Sequence, residues 1–378
     1  MPDILRQEVA TAAHTVVVKV GTRVLTRPGG TLDDERITLL AEELNQIRES
    51  GRKVILVSSG AVGSGMGILG LTKRPADLAH LQAVAAVGQT RLIETYDRVF
   101  RKHGRHAAQV LLTAEDVDDR TRYLNVRNTL LTLLEYNAIP IINENDTVSV
   151  AELQTTFGDN DRLAALVTTL VRAPLLVIFS DVDGLFDGDP KEPTSQLIPT
   201  VSSFDDRIHS YVCDKLTGLS KGGMASKLKA AKLVTAAGEN VIIASGRTPG
   251  LLPRIMAGEL IGTLFVAQGK TTSQLKRWLG SSARLRGKVF LDAGAEQAIA
   301  VSGRSLLAIG ISKCEGSFDK GDLISICAAD GREIARGLTN YSAADLERIK
   351  GLKSDRIAQV LGHCPYEEVI HRDNLALV

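Results

Sequence analysis

Aromatic residues are scarce: Phe, Tyr and Trp together make up 4% of 378 residues. A core of stacked rings is excluded, so the interior has to come from Ala, Val, Leu and Ile. Neither sign of charge is in excess, with 45 Lys plus Arg against 44 Asp plus Glu and a formal net charge of +1. Such a balance gives no electrostatic case for nucleic acid or an anionic membrane as the main partner. Cysteine is sparse as well. Cys213, Cys314, Cys327 and Cys364 are scattered without a CxxC pair, which suits neither a zinc site nor a dense disulfide framework. A reducing cytoplasm is the expected setting. No apolar run is long enough to cross a bilayer, and the opening "MPDILRQEVATAAH" lacks a signal-peptide pattern. Internal repeats and low-complexity tracts are also missing. What remains is an ordinary globular composition, 44% hydrophobic and 24% charged, in a chain long enough for two or three domains.

Short apolar runs alternate with helical patterns. "TVVVKVG", "KVILVSSG", "HAAQVLL", "AIPIINEND", "LLVIFSDVDGLF" and "VIIASG" read as strands. "DDERITLLAEELNQIRES" has helical periodicity, with Asp33 and Asp34 near its start and Gly51 after its end. "DLAHLQAVAAVGQTRLIETYDRVFRKHG" and "RYLNVRNTLLTLLEYN" read as further helices. This alternation predicts an α/β fold, a mainly parallel sheet sandwiched by helices. After about Phe265 the pattern changes. A polar junction, residues 266–284, holds the only tryptophan, Trp278. Residues 285–378 break into short strand-like pieces and turns, including "GKVFLDAGAEQAI", and predict a small β-rich domain.

Polar and glycine-rich residues gather where the strands end: Lys19 and Gly21, Ser59 and Gly60, Asn143 to Asp146, Ser180 and Asp181. Ligands of open α/β sheets sit beyond the carboxyl ends of the strands. "FGDNDRLAALV" places Asp159, Asn160 and Asp161 at the start of a helical run, where one of them would suffice as a cap. "SSGAVGSGMG" reads as a glycine-rich loop after a strand, and "SKGGMASKLKAA" sets Gly222 and Gly223 before a helix carrying Lys227. Both suit phosphate, yet neither matches GxxxxGK[ST], which excludes a P-loop. The dinucleotide fingerprint lacks its acidic partner downstream. His80, His103 and His106 read as surface or packing residues.

In order along the chain, "VVVKVGTRVLT", "VSSGAVGSGMGILG", "INENDTVSVAEL", "FGDNDRLAALV", "SDVDGLFDGDP" and "KGGMASKLKAA" resemble the amino-acid kinase family. Within it they are most similar to the glutamate 5-kinases, as are "DVDDRTRYLNVRNTL" and "KRW". The C-terminal segment resembles a PUA domain. The resemblance implies a catalytic domain over 1–265, and ATP-dependent phosphorylation of the side-chain carboxylate of L-glutamate at the start of proline synthesis. It further implies Mg²⁺ travelling with ATP, proline as feedback inhibitor, and a homo-oligomer. Residue by residue, Lys19 would contact the phosphates, Ser59, Asp146 and Asn160 would hold glutamate, and Asp161 would organise Lys19 and Lys227. Ser180 and Asp181 would line the nucleotide site, whose other wall would be Lys221, Gly222, Gly223, Met224, Ala225, Ser226 and Lys227. One departure stands out: the family usually has Gly-Thr before the paired glycines, whereas this chain has Ser220 and Lys221.

Two other readings stay open. PUA domains often bind RNA, but from Arg284 to the end 13 Lys plus Arg balance 13 Asp plus Glu, whereas nucleic-acid domains usually show a basic surplus. A kinase for an acylated glutamate or for aspartate would share the fold. Asp146 separates these, because a free α-amino group needs an anionic partner and an acylated one does not.

Overall fold

The computed structural model describes residues 3–27, 30–148, 160–205, 208, 210–211, 223–268, 285–362 and 366–378. The chain divides into two compact units, one of Met1–Asp116 and Leu124–Thr271, the other of Val117–Tyr123 and Thr272–Val378. Cys213, Cys364, Trp278 and most of the expected junction lie outside the described residues. Among the described residues, no helix is long and apolar enough to cross a membrane.

The first unit is built on an eight-stranded sheet. Its strands are β1 (Thr15–Val20), β2 (Lys53–Ser58), β3 (Ala107–Leu112), β4 (Ile139–Glu144), β5 (Leu175–Ser180), β6 (Thr200–Val201), β7 (Asn240–Ser245) and β8 (Thr263–Phe265). They lie in the order β3-β4-β2-β1-β5-β7-β8-β6. All pairs are parallel except β7 with β8. Strands buried on both faces carry unbroken apolar runs rather than alternation, and every residue of β1, β4 and β5 is buried. The helix starts follow the expected signals. Asp33 and Asp77 each accept a hydrogen bond from the backbone N–H three residues on.

One stretch departs from the sequence expectation. The "SSGAVGSGMG" segment forms a helix, Ala61–Ile68, entered through Gly60 at φ +107°. Its glycines serve packing. A Cβ at Gly65 would lie 1.9 Å from the Val84 carbonyl oxygen, and one at Gly88 would lie 1.8 Å from that of Ala61. The helix Leu78–Arg101 therefore lies backbone to backbone against Ala61–Ile68, an approach that only glycine permits.

At the far edge, Arg6 of the helix Ile4–Ala12 is 2% exposed. Its guanidinium donates to the carbonyls of Pro199, Ile261 and Gly262, joining the first helix to the segments that enter β6 and β8. Burial lowers its pKa, and Asp3 partly offsets this.

The second unit carries a five-stranded sheet of β9 (Gly287–Leu291), β10 (Ile311–Gly316), β11 (Leu323–Cys327), β12 (Glu333–Leu338) and β13 (Leu375–Leu377), in the order β10-β9-β11-β12-β13. Val289, Leu291, Ile324, Ile326, Leu346 and Ile349 belong to its own apolar core. The "LDAGAEQAI" piece, read as strand-like, forms a helix over Ala293–Ala300, with Asp292 as its cap.

The glycine seam predicts a contrast. Gly88→Ala forces two backbones apart and should cost about 1–3 kcal/mol. Gly67→Ala, whose nearest neighbour is a Thr31 side-chain atom at 3.5 Å, should be neutral or stabilising by up to about 1 kcal/mol. Denaturant midpoints of the two variants against wild type measure the difference.

Candidate active site

After β1 the sheet grows towards β2 on one side, while β5 is added on the other. The carboxyl end of β1 therefore lies at the point where strand order reverses, the place where open α/β sheets bind ligands. Register brings the functional ends level. Lys19 stands beside Val57 of β2 and Ile178 of β5, and Val20 beside Ser58 and Phe179. Ser180 pairs with Ser245 of β7.

Two helices present their first residues to this level. Asn160 and Asp161 open the helix Asn160–Val171, and Lys227 lies in the first turn of the helix Met224–Ala236, after Gly223. Asp161 is 0% exposed, Lys19 4% and Lys227 5%. One carboxylate joins both lysines: Lys19 Nζ is ion-paired to Asp161 Oδ1, and Lys227 Nζ lies 3.1 Å from Oδ2. Ser226 Oγ lies 3.0 Å from the same Oδ2 and 2.9 Å from the Gly223 carbonyl. Burial alone would raise the Asp161 pKa, but the charges of Lys19 and Lys227 outweigh it and hold the carboxyl well below the ordinary range.

Beside this triad runs an amide chain. Asn160 Nδ2 is 2.8 Å from Ser59 Oγ, 3.2 Å from the Ser58 carbonyl and 3.0 Å from Asn143 Oδ1. Asn143 Nδ2 in turn donates to Gln89 Oε1 at 2.9 Å. Asn160 Oδ1 is buried and has no hydrogen-bond partner among the described residues. Asp146 sits half-buried in the turn after β4. On the other flank Arg23 Nη1 donates to Asp181 Oδ2 at 2.9 Å, and Ser180 Oγ lies 3.3 Å from Asp181 Oδ1. Burial pushes the Asp181 pKa up, and the hydrogen bond from Arg23 brings it below the usual value.

Lys19, Asp161, Ser226 and Lys227 thus form one cluster, and Ser59 with Asn160 a second. The helix Asn160–Val171 supplies both. Ser180 and Asp181 lie at the end of β5, and Gly223, Met224 and Ala225 at the start of the lysine-bearing helix. Lys221 and Gly222 lie outside the described residues, as do Asp159, Ser220 and the Phe157–Gly158 pair. His80 pairs with Asp77, and His103 with Glu42. Sequence reasoning missed Arg23, Asn143 as a connecting residue, and Gln89. Gln89 carried a signal, a polar residue in the apolar stripe of Leu81, Ala85, Leu92 and Tyr96.

A cationic pair fixed by one aspartate, at a topological switch point and a helix N-terminus, is suited to a phosphorylated ligand. The amino acid kinase family model matches residues 14–245. The chain belongs to this family. The PUA domain model matches residues 287–361. Curated relatives extend over nearly the whole chain. The glutamate 5-kinase of Rhodopirellula baltica is 50% identical, covering 99% of this chain and 96% of its own length. That of Methylococcus capsulatus is 46% identical, covering 97% of each chain. The Caldanaerobacter subterraneus enzyme of that name is 46% identical over 96% of this chain and 97% of its own. Within the amino acid kinases, this chain is an enzyme of the glutamate 5-kinase branch.

The lysine–aspartate–lysine arrangement carries a stability prediction. Asp161→Asn leaves two buried ammonium groups facing each other and should cost about 3–5 kcal/mol. The folded pKa of Asp161 is depressed. Its contribution is therefore fully present above the unfolded-state pKa of about 3.9 and is lost only as pH falls below that, towards the folded value. Denaturant titrations should give the same gap between wild type and variant at about pH 7 and pH 5, narrowing below about pH 4.

Proposed function

We propose that the chain transfers the γ-phosphoryl group of ATP to the side-chain carboxylate of L-glutamate, giving L-glutamyl 5-phosphate and ADP, the first step of proline synthesis. The observation that carries this reading is the single buried carboxylate, Asp161, shared by Lys19 and Lys227. Phosphoryl transfer asks a protein for alignment and for neutralisation of spreading negative charge more than for covalent chemistry. In this reading Lys19, from the end of β1, meets the transferring group and the phosphates. Lys227, from the opposite helix, meets the oxygen that leaves with ADP. Asp161 keeps the two ammonium groups charged and at a fixed separation.

A glutamate carboxylate oxygen forms the new bond to phosphorus as the bond to the β-phosphate oxygen breaks. The nucleophile has a reference pKa of about 4.3 and is ionised at pH 7, so no general base is required. Ser59, Asn160 and Asp146 hold the amino acid, with Asp146 facing its ammonium group. Ser180, Asp181, Lys221, Gly222, Gly223, Met224, Ala225 and Ser226 line the nucleotide side. Mg²⁺ bound to the ATP phosphates would supply further neutralisation of their charge beside Lys19 and Lys227. Among the described residues, no group of three or more His, Cys, Asp or Glu side chains could hold a metal.

The same reading assigns catalysis to residues 1–265, a junction to 266–284 and a PUA-like domain to 285–378. It includes a homo-oligomer and inhibition by proline at the glutamate pocket.

Three measurements test it. ADP release should follow glutamate well above N-acetylglutamate and aspartate. Lys227→Met should lower kcat by roughly a hundredfold or more, the scale of losing one preorganised charge stabiliser. Asp146→Asn, nearly isosteric but uncharged, should raise the KM for glutamate far more than that for ATP. A glutamate KM unmoved by Asp146→Asn would remove the argument for a free amino acid as substrate.

A further inference from the structure

Gln89 belongs to the helix Leu78–Arg101 and is 8% exposed. Its neighbours on the same face, Leu81, Ala85, Leu92 and Tyr96, are apolar or aromatic and buried. A leucine would serve packing better there, because a buried amide has to be hydrogen-bonded to be tolerated. Gln89 Nε2 is buried and has no hydrogen-bond partner among the described residues, so the site accepts a cost to keep the residue. Stability of the helix pair therefore does not explain a glutamine.

Its oxygen does. Gln89 Oε1 accepts from Asn143 Nδ2 at 2.9 Å. The two ends of an asparagine amide are nearly identical in shape, so its orientation is set by what it bonds. The Glu144 backbone N–H donates to Asn143 Oδ1 at 2.9 Å and Gln89 Oε1 holds the Nδ2 end, so the two together fix the amide, and Oδ1 also accepts from Asn160 Nδ2 at 3.0 Å. Asn160 is then oriented as well. Its Nδ2 is committed to Asn143, Ser59 and the Ser58 carbonyl, and its Oδ1 is buried without a partner among the described residues. Reversing Asn143 would set an NH₂ against the NH₂ of Asn160, and the chain of bonds to Ser59 would break. The backbone that carries Gln89 is held in place by its neighbour Gly88, which lies against Ala61 and Gly65 of the helix that follows Ser59 and Gly60.

We propose that Gln89 is a positioning residue for the acceptor substrate, holding Asn143 in place and through it the Asn160 amide beside Ser59. This rests on the acceptor-kinase reading above. Gln89 acts on the acceptor side alone. The lysines and Asp161 are held by separate bonds.

The test measures steady-state constants for both substrates in the full-length chain carrying Gln89→Leu, Gln89→Met or Gln89→Glu, with thermal melting alongside. Wild-type turnover of glutamate tests the underlying reading by itself. If glutamate is not turned over, that reading falls, and the Gln89 variants are assayed with whichever carboxylate releases ADP. Gln89→Leu should raise the acceptor KM about tenfold, the scale of one hydrogen bond. The ATP KM should stay within about twofold of wild type, with the melting temperature unchanged or higher. Gln89→Glu keeps an oxygen towards Asn143 and should lie closer to wild type than Gln89→Leu. An acceptor KM unmoved in Leu and Met overturns the proposal. So does a parallel rise of both KM values with a lower melting temperature, the mark of a packing role. Failure of both apolar variants to fold would assign Gln89 to the core and overturn it as well.

Discussion

Asp161 is the group around which the first unit is organised. It is buried without exposure at a helix start and binds a lysine from the central strand and another from a helix whose sequence position is 66 residues on. Neither lysine could be held charged in a closed interior without a counter-ion, and neither helix would have reason to aim its first turn at the end of β1. Burial works against the carboxylate and the lysines work for it. The balance favours the ionised carboxylate, which spaces two cations. The order of the strands around β1 then decides what else can reach them.

The cluster of Asn160, Asn143 and Ser59 is held by different physics. There the contacts are neutral amides and hydroxyls, directional and individually weak, and their value lies in orientation. Orientation requires a rigid frame. The seam between Ala61–Ile68 and Leu78–Arg101 provides one, because two backbones in contact have little room to slide. Gly65, from the stretch read as a glycine-rich loop, and Gly88 of the facing helix are the means of that contact.

Much of this architecture was legible in the sequence, for identifiable reasons. Runs such as VVV, VILV and IPII mark strands buried on both faces, and Asp33 and Asp77 announce helix starts through their own short-range bonds. Lys19 stood at a strand end, Asp161 in a polar triplet at a helix start and Lys227 in a helix after paired glycines, and the resemblance to the amino-acid kinases joined them. Other features depend on partners distant in sequence. Whether "AVGSGMG" is loop or helix is decided by the helix it packs against. The antiparallel turn of β8 carries no local signature. Arg23 reads as a surface residue until Asp181, 158 positions away, is placed beside it. Gln89 is one polar letter in an apolar stripe, and only the Asn143 amide gives it meaning.

Arg6 bridges a long stretch of sequence. Its three carbonyl partners lie 193 to 256 residues further along the chain. The helix Ile4–Ala12 is thus separated by most of the unit's length from the groups that satisfy its guanidinium. Contacts of such separation are entropically slow to close. The edge formed by the helix Ile4–Ala12, β6 and β8 is therefore tied together by a side chain whose partners all belong to the later part of the unit.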